Sequence, residues 1–373
     1  MDAKPTDPPA AIYRYSDLNL ITLGVMAERL TGKPLDALVA SRITRPLGMR
    51  DTGYNPTNRR RTAATEFQAS PARGMVWGEV HDENAWSLGG VAGHAGVFST
   101  AGDMAILCQT LLNGGTYKQQ RILRRSSVEL LTHNFNQDFP GNDHGLGFEL
   151  NQRWYAEGLT HPTQAGHTGF TGTSIVIDFA SHSFAVLLTN RVHPTRNAGS
   201  VNVARRDWAQ GLALAMPVRP VAGRDAWFTG ISNATTATLD LPLDVRRRPA
   251  AVSFRTMVDV EETDPLVLER STDGGTTWQP VPFTVQLGRG KAGDGQVVET
   301  QGSWATSGVR RWVRAEAQLP PGEQTLRWRV TTDATYLGRG VYVDDVQVRG
   351  GAKVDAERHP ELLTASNWTP SRH

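Results

Sequence analysis

The sequence predicts a mixed α+β unit followed by an all-β unit. Three observations carry this. "SDLNLITLGVMAERLTG" repeats Leu20, Leu23, Ala27 and Leu30 at helical spacing. "SIVIDF" and "SFAVLLTN" (174–179 and 183–190) read as two antiparallel strands joined by a short polar turn. From Trp227 to about Gly350 no convincing helix pattern occurs, and strand-like runs recur between Gly and Pro turns. The expected organisation is a first domain at 1–216, a linker at 217–226, a β-sandwich at 227–350 and a polar tail at 351–373. A chain of 373 residues suffices for two domains and a sizeable core.

Residues 1–12 are Pro-rich and loop-like. The first helix has Ser16 or Asp17 to cap it and Gly32 to end it. Pro34 opens a second helix, with Leu35, Leu38 and Val39 on one face, expected to end before Pro46. Residues 50–99 read as one long loop rich in Gly, Asn, Thr and Arg, and loops of that length are usually functional. Thr100 to Asn113 is the clearest helix. Thr100 and Asp103 form a capping-box-like start, Met104, Leu107, Cys108 and Leu111 a buried stripe, and Gly114-Gly115 the stop. "VNVARRDWAQGLALAM" closes the first domain as a helix. Beyond it, "AVSFRTMVDV" and "TLRWRVTTD" alternate as strands do. "STDGGTTW" (271–278) resembles an Asp-box hairpin, a folding device closed by Asp273 over Trp278. The tail from 351 is polar, either disordered or the start of another element.

Composition narrows the function. Hydrophobic residues at 39% and charged residues at 20% are ordinary for a globular protein. A net charge of +2 gives no reason to expect a nucleic-acid or membrane partner. The triple arginines at 59–61 and 246–248 read as solvated loops. The single cysteine, Cys108, excludes an internal disulfide and a cysteine-built zinc site. No stretch approaches the ~20 apolar residues of a spanning helix, and "MDAKPTDPPAA" lacks a signal-peptide core.

Four stretches bear chemistry: "YRYSDLNLITLG", "VHDENAWSLGGVAGHAGVFSTAGD", "GHTGFTGTS" and "LLTNRVHPTR". Taken together and in this order, over about residues 8–215, they resemble the serine β-lactamase and penicillin-binding-protein family. The likeness is greatest to its class C-like esterases and D-alanyl peptidases. Tyr15-Ser16-Asp17 matches the family's Tyr-Ser-Asn motif, and His167-Thr168-Gly169 its Lys-Thr-Gly motif. The resemblance implies a β-lactamase/transpeptidase-like fold, an antiparallel sheet with helices. It implies a serine nucleophile in Ser-x-x-Lys, with Tyr15 as acid/base and Asp17 its neighbour. An ordinary tyrosine, with a pKa of ~10, needs nearby cations to act as a base. His167, Thr168 and Gly169 would bind the substrate, a strand N–H completing the oxyanion hole, with His94 on the loop that shapes the site. No cofactor and no metal are expected. The all-β unit resembles immune-inhibitor or MAM-like jelly-roll modules, through "GRGVYVDDVQV". Such modules imply contact with carbohydrate, cell wall or calcium, or a structural appendage alone.

Three departures qualify the resemblance. Asp17 exchanges a donating amide for a carboxylate that only accepts. It can hold a lysine but repels an anionic substrate. His167 replaces a lysine, which makes cationic help pH-dependent and favours an esterase or peptidase over a true β-lactamase. The third concerns the nucleophile. The five lysines, Lys4, Lys33, Lys118, Lys291 and Lys353, follow Met1, Leu30, Gly115, Gly288 and Gly350 by three positions, so Ser-x-x-Lys is nowhere in the sequence. The family order places that motif before the tyrosine motif. The expectation is therefore a truncated first domain whose missing segment carried nucleophile, lysine and signal peptide, and a secreted intact relative.

Each residue also has a plainer role. Tyr15 can simply pack at the helix start, Asp17 or Ser16 can cap it, and His167 can be structural. His81, Asp82, Glu83 and His94 do not have the spacing of a metal motif. Close approach of backbone to a ligand would explain the small residues of "TGFTG". Two other function classes stay open. One is a non-catalytic remnant that binds cell wall or glycans through its β-sandwich. The other is a metal-dependent hydrolase built on the 81–94 loop.

Overall fold

Helix α1 (Asp17–Thr31) sets the frame of the first unit. In this computed structural model, residues 7–8, 10–230, 232–288, 295–308 and 310–372 are described. Residues 1–6 and 9 of the expected Pro-rich start, 231, 289–294 and 309 of the expected sandwich, and His373 of the tail lie outside the described residues. The chain divides into two units. One holds the residues up to Ala156 together with Pro162–Trp208, the other Glu157–His161 and the residues from Ala209.

Ser16 takes the N-cap position in extended backbone without a side-chain bond to the helix. Gly32, at φ 65°, ends α1 by donating its N–H to the Glu28 carbonyl. The expected apolar stripe is not buried: Leu20, Leu23 and Leu30 are 39%, 52% and 78% exposed, and only Ile21 and Gly24 are buried. The second helical segment also departs from expectation. α2 (Leu35–Val39) runs through a π turn (Ala40–Thr44) into α3 (Arg45–Leu47), past Pro46. The wider turn accommodates the proline, which has no N–H to contribute.

Residues 50–99 are not one loop. They hold a 3₁₀ turn (Arg59–Arg61), a hairpin of β1 (Ala64–Gln68) and β2 (Gly74–Trp77), and α4 (Glu83–Ser87). The hairpin escapes a hydrophobicity pattern because its polarity is inverted. Glu66 and Gln68 are buried, while Phe67 and Met75 face out.

α5 (Ala101–Leu112) starts where expected, with the Asp103 N–H donating to Thr100 Oγ1 at 3.2 Å. Cys108, Leu111 and Leu112 pack with Ile177, and burial pushes the Cys108 thiol up to about 12. A small hairpin, β3 (Thr116–Tyr117) and β4 (Gln120–Arg121), and α6 (Arg125–Glu129) follow. The sheet beneath α5 has the antiparallel order β5 (Glu149–Leu150), β6 (Gln164–Thr168), β7 (Ser174–Asp178), β8 (Ser183–Leu187). α7 (Arg153–Ala156) lies between β5 and β6 in sequence, and α8 (Asn202–Ala215) follows β8.

The second unit is built from two antiparallel sheets. Its strands include β9 (Ala226–Thr229), β10 (Thr236–Val245), β11 (Ala250–Asp259), β12 (Leu266–Ser271), β13 (Gln279–Pro280), β14 (Phe283–Gln286), β15 (Val297–Glu299), β16 (Ser303–Trp304), β17 (Val313–Leu319), β18 (Gly322–Thr331) and β19 (Gly340–Gly350). β20 (Val354–Asp355), β21 (Thr364–Ser366) and β22 (Trp368–Ser371) complete it. One sheet has the order β13-β12-β18-β10-β21, the other β15-β14-β17-β11-β19-β9-β22. Inward residues of both form a single core, with Phe254 meeting Trp328 edge-on at 5.4 Å. The polar stretch from 351 supplies an edge strand to each sheet. At the Asp-box hairpin, Asp273 accepts from Ser271 Oγ (2.7 Å) and the Thr277 N–H (2.9 Å), and the Arg327 guanidinium lies 3.6 Å over the Trp278 ring.

Glu357 generates a prediction. Burial, then the charges of Asp344, Asp345 and Asp355, push its carboxyl up to about 7. The folded state therefore holds this proton where the unfolded chain, near 4.5, has released it. The stabilisation from the neutral form is present below ~4.5 and lost as pH rises through about 7. Denaturant unfolding between pH 4.5 and 8 should show this decline, and Glu357→Gln should flatten it.

Candidate active site

The site grows from strand β6 and the turn after it. β5 pairs only with Gly166 and Ala165, so the edge of β6 at His167 and Thr168 extends beyond its neighbour. Across the other edge, Thr168 pairs with Ser174 of β7. The turn is closed by the Gly169 N–H donating to the Thr173 carbonyl at 2.9 Å and the Gly172 N–H to Gly169 at 3.0 Å. Arg205 locks it from beneath: one Nη2 donates to the carbonyls of Gly169 (2.8 Å) and Thr173 (2.9 Å). The small residues have a reason internal to this turn. A Cβ on Gly169 would stand 2.2 Å from Thr173 Oγ1, and one on Gly172, at φ 114°, 2.1 Å from Thr189 Oγ1. Ligand approach is not needed to explain them.

Tyr15, just before α1, brings its ring to 6.3 Å from that of His167, centroid to centroid. His167 Nδ1 lies 2.9 Å from its neighbour's carbonyl at Thr168. Every influence on Tyr15 raises its pKa above the ordinary tyrosine value: partial burial first, then the negative charges of Asp17, Glu149 and Tyr13. The cationic neighbours that would make it a base do not appear among these influences.

Beside Asp17 stand two residues from the loop between β2 and α5. His94 Nε2 lies 2.8 Å from Asp82 Oδ1, which also accepts the Ala85 N–H at 2.8 Å and so caps α4. The His94 side chain is 5% exposed, and its Nδ1 has no hydrogen-bond partner among the described residues. Ligand atoms of Asp17, Asp82 and His94 all lie within 4.8 Å of one another, an arrangement able to hold a cation. The contact that brings this loop to α1 is glycine on glycine. A Cβ on Gly93 would stand 2.1 Å from the Leu20 carbonyl oxygen, and one on Gly24 3.2 Å from the Gly93 nitrogen.

His81 and Glu83, neighbours of Asp82 in sequence, belong to a different cluster. Buried Glu66 meets His81 Nε2 at 2.8 Å and accepts from Arg196 Nε and Nη2 at 2.9 and 2.7 Å. Arg196 also pairs with Glu83. The Arg196 hydrogen bond outweighs burial and holds the Glu66 carboxyl down to about 2. His81 stacks on Phe170 of the β6 turn at 5.5 Å, and Arg191 and Arg196 lie over the same ring at 5.1 and 5.5 Å.

The structure thus gathers Tyr15 with His167, and Asp17 with His94. Thr168 and Gly169 follow His167 on the same strand and turn. Sequence reasoning did not select Asp82, Glu149, Glu66 or Arg205 as site residues. For Asp82 a signal exists, an Asp opening a short helix three residues before Ala85. Glu66 and Arg205 gave none, because their partners lie 130 and 36 positions away.

Comparisons with known proteins bear on the first unit. The family profile described as Beta-lactamase matches residues 1–210. A protein of Escherichia coli K12 named for D-alanyl-D-alanine carboxypeptidase is 36% identical over 229 residues, covering 54% of this chain and 52% of its own. A like-named protein of Salmonella typhi is 38% identical over 204 residues, covering 50% and 46%. The chain spans about half the length of these curated relatives. Among solved structures, a beta-lactamase from Mycobacterium bovis aligns at 20% identity and a TM-score of 0.38, covering 53% of this chain and 64% of that one. A penicillin binding protein from Bacillus halodurans aligns at 17% and 0.41, covering 57% and 59%.

Two outcomes follow from this geometry. Gly93→Ala should push the loop off α1 and cost about 1–3 kcal/mol, as overpacking does, measured by denaturant unfolding. An unchanged stability would mean the contact is dispensable. Asp17→Asn should lower the Tyr15 pKa towards the ordinary value by removing a negative neighbour. Ultraviolet or NMR titration of the tyrosine reads this directly.

Proposed function

Because the chain belongs to the beta-lactamase family, we propose that it supplies the proton-transfer and substrate-strand part of a serine hydrolase acting through an acyl-enzyme. The observation that carries the reading is the approach of Tyr15 to His167 at the overhanging edge of β6, with Asp17 at the adjoining helix start. In this reading Tyr15 relays the proton between nucleophile and leaving group. His167 and Thr168 meet the substrate along the strand edge, Gly169 opens the turn that follows them, and His94 fixes Asp82 beside Asp17. The names of the curated relatives support a peptide ending in D-alanyl-D-alanine as substrate. An ester or another amide suits the same chemistry.

The nucleophile is the part these residues do not provide. Ser-x-x-Lys does not occur in the sequence. Ser16, the serine of the tyrosine motif, occupies the N-cap position of α1 in extended backbone and makes no side-chain cap bond. Partial burial, then the negative charges of Asp17, Glu149 and Tyr13, raise the Tyr15 pKa above the ordinary value, so it needs a cation beside it before it can accept a proton near neutral pH. We infer that the chain by itself forms no acyl-enzyme. The second unit has the strand order β9-β19-β11-β17 in one sheet and β10-β18-β12 in the other, with successive long strands alternating between sheets. That alternation supports a jelly-roll module, with cell-wall or carbohydrate contact as its role. An extracytoplasmic location agrees with such substrates. No helix among the described residues is long and apolar enough to cross a membrane.

Incubation with a fluorescent penicillin or a fluorophosphonate, followed by intact-mass spectrometry, tests the reading. The expected result is the unmodified mass. An adduct on any serine would overturn the inference that the chain does not acylate, and the adduct's position would identify the nucleophile.

A further inference from the structure

The outer face of the β14-β17-β11-β19 sheet carries a hollow of about 390 Å³ that the hydrolase chemistry leaves unused. Along β11, Val252 and Phe254 turn into the core while Ser253 and Arg255 face out. Arg314 of β17 and Asp345, Gln347 and Arg349 of β19 line the same hollow. A β-bulge crosses it. Ser253 pairs with Gln347 and Arg255 with Asp344, so β19 has one residue more than β11 there, and Asp345 takes φ 48°. Such a bulge bends its strand and re-aims side chains. The charges around it are unbalanced. Arg255 stands directly opposite Arg314 on the neighbouring strand, a like-charge pairing that costs stability. Glu316 accepts from Arg314 Nε at 2.7 Å. Asp345 accepts from Gln347 Nε2 at 2.7 Å, and the Gln347 oxygen accepts from Arg349. Among the described residues, no carboxylate pairs with Arg255 or Arg349.

We propose that this hollow binds an acidic glycan, with Arg255 holding a sugar carboxylate, Arg314 and Arg349 flanking it, and Ser253, Asp345 and Gln347 meeting the sugar hydroxyls. The proposal rests on the carbohydrate reading of the second unit and names its ligand class and site. Charge complementarity selects the occupant. A guanidinium binds a carboxylate through paired, charge-assisted hydrogen bonds. A carboxylate between Arg255 and Arg314 replaces their repulsion with two attractions. The hydroxyl, carboxamide and carboxylate alongside offer both donors and acceptors, which suits hydroxyl groups. Asp345 within the hollow disfavours a dense polyanion such as a nucleic acid. The aromatic ring beneath it, Phe254, is 1% exposed and belongs to the core. No exposed ring among the lining residues is there for a base to stack on.

The test is calorimetric titration of the full chain with tetragalacturonate, with its methyl ester, which keeps the hydroxyls and removes the charge, and with dextran sulfate. The expected result is that the acid binds, more weakly as salt is added, and that the ester binds about tenfold or more weakly. Arg255→Gln and, separately, Arg349→Gln should each weaken binding of the acid, Arg255→Gln by about tenfold or more. Both lie on a solvent-facing sheet surface, and a thermal melt checks that each variant folds. Arg246→Gln, an equal loss of charge in the loop after β10, should leave binding unchanged. No binding of the acid, an equal loss in Arg246→Gln, or dextran sulfate binding as tightly as the acid overturns the proposal. Neutral oligosaccharides and insoluble cell wall separate it from the reading it rests on. Retention on either that Arg255→Gln leaves unchanged overturns this site and leaves carbohydrate contact standing. Failure of every glycan, acidic and neutral, removes both.

Discussion

The contact between Gly24 of α1 and Gly93 of the following loop is the constraint on which the site depends. Each side has only backbone to offer, and the space left is less than one methyl group. That closeness is what sets His94 and Asp82 beside Asp17. Asp82 is fixed a second time, as the cap of α4. The cluster is therefore pinned by a helix-to-loop packing contact and by a hydrogen bond to a helix terminus. The first is steric and the second a charge-assisted hydrogen bond, and both act over short range.

The charges divide into two separate groups. Around Glu66, Arg196 and Glu83 the carboxylates have a guanidinium to face, and Glu66 stays ionised far below the usual carboxylate range. That group braces the β6 turn through His81 and Phe170. Around Tyr15, Asp17 and Asp82 the balance is the opposite. Carboxylates meet an imidazole and a phenol, and the phenol is driven towards its protonated form. Burial contributes most to this sign, and the charges of Asp17, Glu149 and Tyr13 add to it.

Much of this was legible along the chain. The starts and stops of α1 and α5, the β7–β8 pair and the all-β character of the second unit follow from periodicity, caps and glycines, which act over a few residues. Tyr15, Asp17 and His167 were singled out through their motifs, and the structure brings the Tyr15 and His167 rings to 6.3 Å. The β1–β2 hairpin was not, because its buried positions are Glu66 and Gln68 and its exposed ones Phe67 and Met75. Their burial depends on Arg196 and His81, far along the chain or across a turn. Arg205 was hidden for the same reason, since nothing local says that a helix arginine will hold the carbonyls of a turn.

By itself the sequence determined α1, α5, the β7–β8 pair and the all-β character of the second unit, the order of the motifs, and the family that order resembles. These rest on local sterics and on residue types. Only the tertiary structure decided which side of α1 is covered, and that His94 joins Asp17 while His81 joins Glu66. Periodicity says that a stripe is apolar; it does not say what lies against it. Leu20, Leu23 and Leu30 have the spacing of a core face and yet stand exposed, because burial belongs to a pair of surfaces and the side of α1 that meets one is that of Ile21 and Gly24.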